Sequence, residues 1–158
     1  MSATDTNDPH VRWVEAFAQA WRAPADAESL VEQFRPWLRA DYRFLQPLTG
    51  SAGVGLVEFR DRFARPLLTV MNEVQGRVES WAAREDTLFI ELAVEGRVGR
   101  RRVCLRACDR VTLVDGVAAD RQTYFDPLPL IAAVLRTPRL WWPALRWQLD
   151  EAIRSRTT

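Results

Sequence analysis

The chain contains no lysine, since all 22 of its basic residues are arginines. Without lysine it cannot form a side-chain Schiff base, place a lysine on a phosphate loop or use one as a general base. Histidine is almost absent too, because His10 is the single one and lies in a polar stretch. A Ser-His or Cys-His relay in the core is thereby excluded. Any acid–base chemistry has to come from carboxylates or tyrosines.

Cysteine is equally scarce, with only Cys104 and Cys108, four positions apart in a predicted strand. At about 3.3 Å per residue this spacing separates them by roughly 13 Å on one face, which is too far for a disulfide. With a single histidine beside them they supply no structural zinc set. No metal and no cofactor is therefore expected.

A strong net charge and long apolar runs are also missing. The 22 basic and 21 acidic residues give a net charge of +1, so bulk electrostatics offers no argument for a nucleic-acid or membrane partner. No run reaches membrane-spanning length, and the first ten residues lack the basic start and apolar middle of a signal peptide. We expect a cytoplasmic protein that does not bind nucleic acid.

The chain is, by contrast, rich in apolar residues. Its 158 residues are 47% hydrophobic and 10% aromatic, which is enough for one domain with a real core. The predicted division is a flexible tail over residues 1–8, a single domain over 9–136 and a helical extension over 137–158.

The first predicted helix covers about residues 9–22. Asp8 supplies its N-cap, and a proline occupies its first turn. Trp13, Phe17 and Trp21 recur at four-residue spacing and form one apolar stripe. Such a stripe is either plain core or one wall of a hydrophobic cavity, and it can serve as both.

Two more helices and a short strand are predicted before Val70, where the spacing of the hydrophobic residues changes. Asp26 caps a second helix that ends near Pro36, because proline cannot continue the hydrogen-bond ladder. A short strand over residues 41–46 then leads into a turn over 47–53. The third helix is predicted from residue 54 or 55 to 68, and Pro66 should disturb its end.

From Val70 onward the hydrophobic period becomes two, which predicts three long strands. Their approximate ranges are 72–83, 87–96 and 102–114. A turn centred on Val98-Gly99 would set Val94 against Val103 and Glu91 against Arg106, so that both faces match in character. Glu91 then has a surface role as an arginine partner.

Asp109 stands out because the same register places it in the apolar row of the third strand, near Leu88. A carboxyl group there loses hydration, which favours its protonated form and makes it a candidate proton carrier. The alternative is a buried aspartate that a neighbouring arginine or backbone amide satisfies. The residues alone leave both open.

The hairpin turn at Asp115-Gly116 admits two registers. A two-residue turn brings Gln122 opposite Asp109. A three-residue turn with Gly116 in the left-handed conformation brings Arg121 opposite Asp109, with Thr123 and Phe125 along the same face.

The order helix, helix, short strand, helix and long antiparallel strands resembles the nuclear-transport-factor-2-like superfamily over residues 10–135. This superfamily includes SnoaL-like polyketide cyclases, ketosteroid isomerases and limonene epoxide hydrolases. The most specific matching piece is a DG turn followed by the YFD at 124–126. The resemblance implies an α+β fold of the cystatin-like kind, in which a curved antiparallel sheet wraps N-terminal helices around a conical pocket. The implied pocket lining is Phe17, Trp21, Phe44, Phe59, Phe63 and the face that carries Asp109.

Placed beside the ketosteroid isomerases, Asp109 falls where they keep a protonated aspartate that donates to an oxyanion. Their tyrosine partner falls at Phe17, and their aspartate base falls at Gln46. Placed beside the epoxide hydrolases, the aspartate of their closing motif falls at Thr123 and a tryptophan at Arg121. These departures argue against both specific mechanisms. The comparison with the epoxide hydrolases favours the longer hairpin turn, because that turn puts Arg121 and Thr123 on the pocket side. The polar points of the implied pocket are Asp109, Arg121, Gln46, Thr123 and Tyr42.

The last part of the chain predicts an extra amphipathic helix whose apolar positions are Trp142, Leu145, Leu149 and Ile153. We expect this stripe to pack on the chain's own sheet or on a second subunit rather than on a membrane. Curved sheets of the resembling superfamily commonly pair, so a homodimer through the sheet is expected.

Two functions follow from the resemblance. The first is a cofactor-independent cyclase, isomerase or hydrolase for a small, largely apolar or polycyclic molecule, with Asp109 as acid–base residue and Arg121 orienting it. The second is a non-catalytic ligand-binding or interaction module of the same fold. A solvent-reachable Asp109 favours the enzyme. A cavity filled by aromatic rings, with Asp109 locked to Arg121, favours the module.

Overall fold

The computed structural model describes residues 8–46 and 51–154, so residues 1–7 of the predicted tail, 47–50 of the predicted turn and 155–158 of the predicted extension lie outside the described ranges. The helices are α1 (Pro9–Trp21), α2 (Ala27–Phe34), α3 (Gly55–Phe59), α4 (Arg65–Val70), α5 (Leu128–Leu135) and α6 (Trp141–Arg154). The strands are β1 (Leu38–Gln46), β2 (Ser51–Val54), β3 (Asn72–Arg84), β4 (Thr87–Val98), β5 (Arg101–Val114) and β6 (Val117–Phe125). Short 3₁₀ turns cover Arg35–Trp37 and Pro138–Leu140.

Both predicted helix starts in the first part of the chain are confirmed. The Asp8 carboxylate accepts a hydrogen bond from the backbone amide of His10 at 2.8 Å, next to a proline in the first turn. Asp26 and Ser29 form a reciprocal capping box, with the Ser29 amide donating to Asp26 at 2.7 Å. Capping of this kind satisfies amides that have no partner inside the helix.

The third predicted helix runs further than expected. A π-helical segment over Arg60–Ala64 joins α3 to α4, and the helical path continues to Val70. Pro66 therefore does not end it, because the proline occupies the first turn after the π segment, where a missing amide hydrogen costs little. This segment carries both Phe59 and Phe63 inwards, and both are buried.

The six strands form one curved, unclosed sheet in the order β2-β1-β6-β5-β4-β3. All neighbours are antiparallel except β1 and β6, which pair in parallel. The predicted antiparallel sheet is thus confirmed with one exception. β1 starts three residues earlier than predicted, and the short strand β2 replaces the end of the predicted turn.

The predicted register between β4 and β5 is wrong by two residues. Their turn consists of Gly99 and Arg100, with Val98 opposite Arg101 and Gly99 at a φ of +62°. The shift keeps every side chain on its predicted face, since the strand period is two. It sets Ile90, rather than Leu88, opposite Asp109.

This shift also replaces the predicted partner of Glu91. The Glu91 carboxylate accepts from the Ser80 hydroxyl at 2.7 Å, and Arg106 lies 3.6 Å from Glu79 instead. Both contacts are on the exposed side of the sheet, where charge pairs add little to stability.

The hairpin between β5 and β6 combines features of the two predicted registers. Asp115 and Gly116 form a two-residue turn with φ values of +53° and +78°, and Val114 faces Val117. A bulge between Thr112 and Leu113 then shifts the pairing by one residue. Thr123 is opposite Asp109, so neither Gln122 nor Arg121 is its partner as predicted. Arg121 and Thr123 nevertheless lie on the same face as Asp109, which is the face that the longer turn predicted.

The stripe on α6 does not pack on the chain's own sheet, contrary to one of the two predicted possibilities. Trp142, Leu145, Leu149 and Ile153 are all exposed. The helix turns a different side, with Ala144 and Trp147, towards the body of the domain. No helix within the described ranges is long and apolar enough to cross a membrane.

Candidate functional site

The inner face of β5 and β6 carries the polar residues of the candidate site. Asp109 on β5 is paired with Thr123 on β6, and Val111 is paired with Arg121. Because alternate residues share a face, Asp109, Arg121 and Thr123 all point towards the helices. Without the bulge in this hairpin, β6 would turn these side chains outwards.

Asp109 and Arg121 form a buried ion pair, with Nη2 of Arg121 2.7 Å from Oδ2 of Asp109. Asp109 is fully buried and Arg121 is 4% exposed. The contact is poorly aligned, because neither Asp109 oxygen has a well-formed hydrogen bond within the described part of the chain. The pair is therefore held more by attraction between opposite charges than by a directional hydrogen bond.

Three aromatic rings surround the guanidinium of Arg121. Its Cζ lies 5.4 Å from the ring centroid of Phe17, 5.6 Å from that of Phe63 and 6.0 Å from that of Trp21. Cations are attracted to the faces of such rings, and more strongly where water is excluded. The predicted apolar stripe on α1 thus belongs to the core, and two of its rings also contact the positively charged guanidinium of Arg121.

Burial alone would lower the pKa of Arg121, but the charge of Asp109 and the hydroxyl of Tyr42 outweigh it and raise the pKa further. Burial also raises the pKa of Tyr42 far above its ordinary value. At neutral pH the site therefore holds a charged guanidinium and a neutral phenol. Because its phenol is protonated at neutral pH, Tyr42 cannot act as a base towards a ligand.

A cavity of about 50 Å³ lies beside the ion pair. Its lining is mainly apolar and consists of Trp21, Gln46, Phe63, Leu67, Leu92, Val94, Leu105, Ala107, Arg121, Thr123, Phe125, Leu130 and Trp147. One water needs roughly 10–15 Å³ on this scale, so this volume alone holds a few water-sized groups, and a one-ring ligand has to extend into the part of the pocket that is open to solvent.

Five of the predicted site residues lie together on this lining: Trp21, Gln46, Phe63, Arg121 and Thr123. Phe17, Phe44 and Phe59 are buried in the aromatic core and do not border the cavity. Asp109 does not border it either, although it contacts Arg121, which does.

Trp147 of α6 is one of the lining residues that the sequence analysis did not predict as part of the site. It falls off the apolar stripe of Trp142, Leu145 and Leu149, which suggested a different inner face for this helix. Only the packing of α6 against α4 and α5 brings Trp147 to the cavity.

Comparisons of sequence found no similar protein: no family model matches the chain, and no curated protein matches it. Solved structures do match. A protein named as a SnoaL-like polyketide cyclase from Jannaschia sp. CCS1 superimposes with a TM-score of 0.68 at 15% identity, covering 84% of this chain and 96% of its own. An LEH-like epoxide hydrolase from Mycobacterium tuberculosis gives 0.61 at 18% identity, covering 84% and 93%.

A protein from Catenulispora acidiphila DSM 44928 with a ketosteroid isomerase-like fold, in complex with trimethylamine, gives a TM-score of 0.64 at 15% identity, covering 77% of this chain and 90% of its own. These similarities define the class of fold. The chain has the α+β cone fold of nuclear-transport-factor-2-like proteins, which the SnoaL-like and ketosteroid isomerase-like proteins share. At these identities the similarity shows the fold alone.

Proposed function

We propose that this protein binds a small, largely apolar molecule in the cavity between β4–β6 and the helices. The observation that carries the proposal is an almost wholly apolar lining with three polar side chains on it, Gln46, Arg121 and Thr123. An apolar cavity with a few polar points is the usual form of a small-molecule site. In this proposal Asp109 positions Arg121 and does not itself touch the ligand.

The fold neighbours support a small-molecule site in general terms. The structure from Catenulispora acidiphila is a complex with trimethylamine, and another neighbour, TerC, was co-crystallised with polyporic acid at a TM-score of 0.66. Both belong to the same fold class as this chain. Neither compound is implied as the ligand here.

Ala107→Phe is expected to abolish binding of a one-ring apolar probe. Ala107 borders the cavity from β5, so a phenyl group at this position would occupy the space itself. Ethylbenzene should raise the urea denaturation midpoint of the unmodified protein, because a ligand of the folded state stabilises it by mass action. The same addition should leave the midpoint of Ala107→Phe unchanged.

The matched control is Ala82→Phe on β3, an exposed position away from the cavity. This variant should respond to ethylbenzene like the unmodified protein. An equal response of Ala107→Phe would place the probe elsewhere and contradict the proposed site.

We infer catalysis by Asp109 as the second candidate, because proteins named as cyclases and hydrolases share this fold. Acid–base work by Asp109 requires the ligand to displace Arg121, since the carboxylate is fully buried. Acetophenone in D₂O is a simple probe: a base removes a methyl proton, an enolate forms, and deuterium is returned from solvent. NMR should show exchange above the buffer rate that Asp109→Asn abolishes and Thr123→Val retains, and exchange at the buffer rate would refute the role.

We also propose a homodimer through the outer face of the sheet. Phe89 on β4 and Tyr124 on β6 are 45% and 48% exposed there, and aromatic residues of this kind are enriched in interfaces. Phe89→Arg combined with Tyr124→Arg should convert a dimer to a monomer in light scattering after gel filtration. If only Leu145→Glu with Leu149→Glu dissociates it, the interface is the α6 stripe instead.

A further inference from the structure

Four arginines line an open cleft of about 440 Å³ at one end of the sheet. The cleft lies between the turn that joins β4 to β5 and the connection from α5 to α6. Its lining consists of Gly99, Arg100, Arg101, Arg136, Thr137, Pro138 and Arg139. Two segments that are far apart in the chain thus bring their arginines together, and we refer to the space between them as the basic cleft.

Close packing at Gly99 holds the two segments against each other. A side-chain carbon at this position would lie 2.8 Å from Cγ2 of Thr137, so any larger residue would push Thr137 away. Gly99 also has a φ of +62°, which glycine adopts without strain. Thr137 is fixed in turn, because its hydroxyl donates to the carbonyl of Ala133 at 2.9 Å. The backbone itself therefore sets the position of the basic cleft.

No carboxylate balances the four charges of the basic cleft among residues 8–46 and 51–154. None of the four arginines forms an ion pair with an acidic side chain in that part of the chain. Two other arginines of the β4–β5 hairpin, Arg97 and Arg106, are by contrast 3.9 Å from Glu73 and 3.6 Å from Glu79. The cleft is thus a group of exposed like charges without counter-ions in the described structure.

The distribution of charge along the sequence shows the same imbalance. Residues 96–108 contain five arginines and residues 127–149 contain three, with no acidic residue in either stretch. The rest of the chain then has 14 arginines against 21 acidic residues, although the net charge is only +1. Like charges that the fold brings together repel one another, and an anionic partner removes this cost. The local distribution thus supports an anionic partner that the net charge does not.

An exposed apolar groove adjoins the basic cleft. It lies between α5 and α6 and has a volume of about 470 Å³. Its exposed lining residues are Ile131, Leu135, Trp141 and Leu145. Leu135 directly precedes Arg136, and Trp141 follows Arg139 by two residues, so the connection from α5 to α6 belongs to both sites. The neighbouring Trp142 is 68% exposed.

The combination of arginines with exposed tryptophan and leucine favours one kind of anionic partner. Amphipathic helices on membranes place such apolar residues at the boundary of the acyl chains and their basic residues at the headgroups. A soluble phosphate compound or a nucleic acid would engage the arginines and leave the aliphatic groove exposed. A second copy of the chain would cover the groove but would bring a second basic cleft towards the first.

We propose that this end of the domain docks on the surface of a membrane that contains acidic phospholipids. The arginines of the basic cleft bind the phosphate groups of the lipids. The side chains of Leu135, Trp142 and Leu145 enter the boundary between headgroups and acyl chains. This surface lies outside the cavity beside Asp109 and Arg121, so the inference does not depend on the ligand of that cavity.

Sedimentation with lipid vesicles tests the proposal on the unmodified protein. The protein should bind vesicles of equal parts phosphatidylcholine and phosphatidylglycerol about tenfold or more tightly than vesicles of phosphatidylcholine alone. Added salt should weaken this binding, because it screens exposed charges. Equal binding to both kinds of vesicle would overturn the role of the arginines, and binding to neither would overturn the proposal.

Arg136→Gln combined with Arg139→Gln should weaken binding to the acidic vesicles about 25-fold, since each arginine near such a surface contributes about fivefold. Arg100→Gln with Arg101→Gln removes the same charge from the other side of the cleft and should have the same effect. Unchanged urea midpoints would show that both variants are folded.

The matched control is Arg43→Gln with Arg84→Gln, which removes the same charge at exposed positions on β1 and β3. It should bind the acidic vesicles nearly as tightly as the unmodified protein. A loss equal to that of the cleft variants would reflect net charge alone and overturn the assignment of the cleft.

Trp142→Ala tests the apolar part of the contact and should weaken binding to the acidic vesicles about tenfold, because an exposed indole no longer enters the lipid. Phe89→Ala on the outer face of the sheet is the control and should bind normally. If Trp142→Ala binds the vesicles unchanged and instead dissociates a dimer in light scattering, the groove is covered by a second copy and the proposal is overturned.

Soluble anions distinguish the lipid from other sources of phosphate. Calorimetric titration with inorganic phosphate and with an oligothymidylate should give only weak binding. If either one binds tightly, Arg136→Gln with Arg139→Gln abolishes that binding and the vesicles do not bind, then the cleft recognises a soluble anion or a nucleic acid. That result would overturn the membrane proposal.

Discussion

Asp109→Leu is expected to lower the free energy of unfolding by about 3 to 5 kcal/mol, because it leaves the charge of Arg121 buried without a counter-ion. Both side chains are almost fully buried, so neither water nor salt can replace the lost partner. Arg121→Met should cost a similar amount, since it strands the Asp109 carboxylate in the same way. Urea denaturation followed by tryptophan fluorescence measures both.

The double variant Asp109→Leu with Arg121→Met should recover most of this loss. Apolar residues of similar volume can replace a buried ion pair at little cost or with a gain of about 1 to 4 kcal/mol. The control is Asp120→Asn, whose partner Arg43 is 3.9 Å away and whose side chain is 39% exposed; its midpoint should hardly move. Additive losses in the double variant would mean that the two residues are not coupled.

The burial of Asp109 also affects how the Asp109→Asn test of catalysis can be interpreted. A variant that abolishes turnover with an unchanged melting temperature requires an aspartate whose charge is dispensable to the fold. The structure instead gives Asp109 the task of balancing Arg121 under three aromatic rings. Any test of catalysis by this residue therefore has to separate lost chemistry from lost stability.

Asp109 is locked to Arg121, which is one of the two features expected of a binding module. The rings of Phe17, Phe44 and Phe59 are packed in the core, and a mainly apolar cavity remains beside the ion pair. The buried pair therefore gives Asp109 a structural role, whether the cavity serves binding or catalysis.

Much of the fold could be predicted because its signals are local. The caps at Asp8 and Asp26 and the period of two in β4 and β5 depend on neighbouring residues alone. The predicted register of the β4–β5 hairpin is wrong because a shift of two residues keeps every side chain on the same face. The hydrophobic pattern therefore cannot distinguish the two registers. The turn residues, Gly99 and Arg100, decide it in the structure.

The site could be predicted only in part for a related reason. The face shared by Arg121 and Thr123 came from a resemblance, whereas the bulge that creates it has no marker in the sequence. Trp147 was missed because its position depends on how α6 packs against other helices. Local patterns do not encode such long-range packing.

Phe59→Ala is expected to destabilise the protein by about 3 to 5 kcal/mol, the range for truncating a buried phenylalanine. Phe59 is 1% exposed and lies at the centre of the aromatic core. Its ring centroid is within 6 Å of four other rings, those of Phe34, Tyr42, Phe44 and Phe63. Truncation removes these four contacts together and leaves a cavity in the core.

Phe89→Ala is the matched control, because Phe89 is 45% exposed on the outer face of β4 and should cost far less in the same urea titration. Phe59→Leu should fall between the two and should still bind ethylbenzene, since Phe59 does not border the cavity. A Phe59→Ala variant as stable as Phe89→Ala would show that the aromatic core around Phe59 is loosely packed. The binding cavity would then extend into the aromatic core and admit ligands larger than one ring.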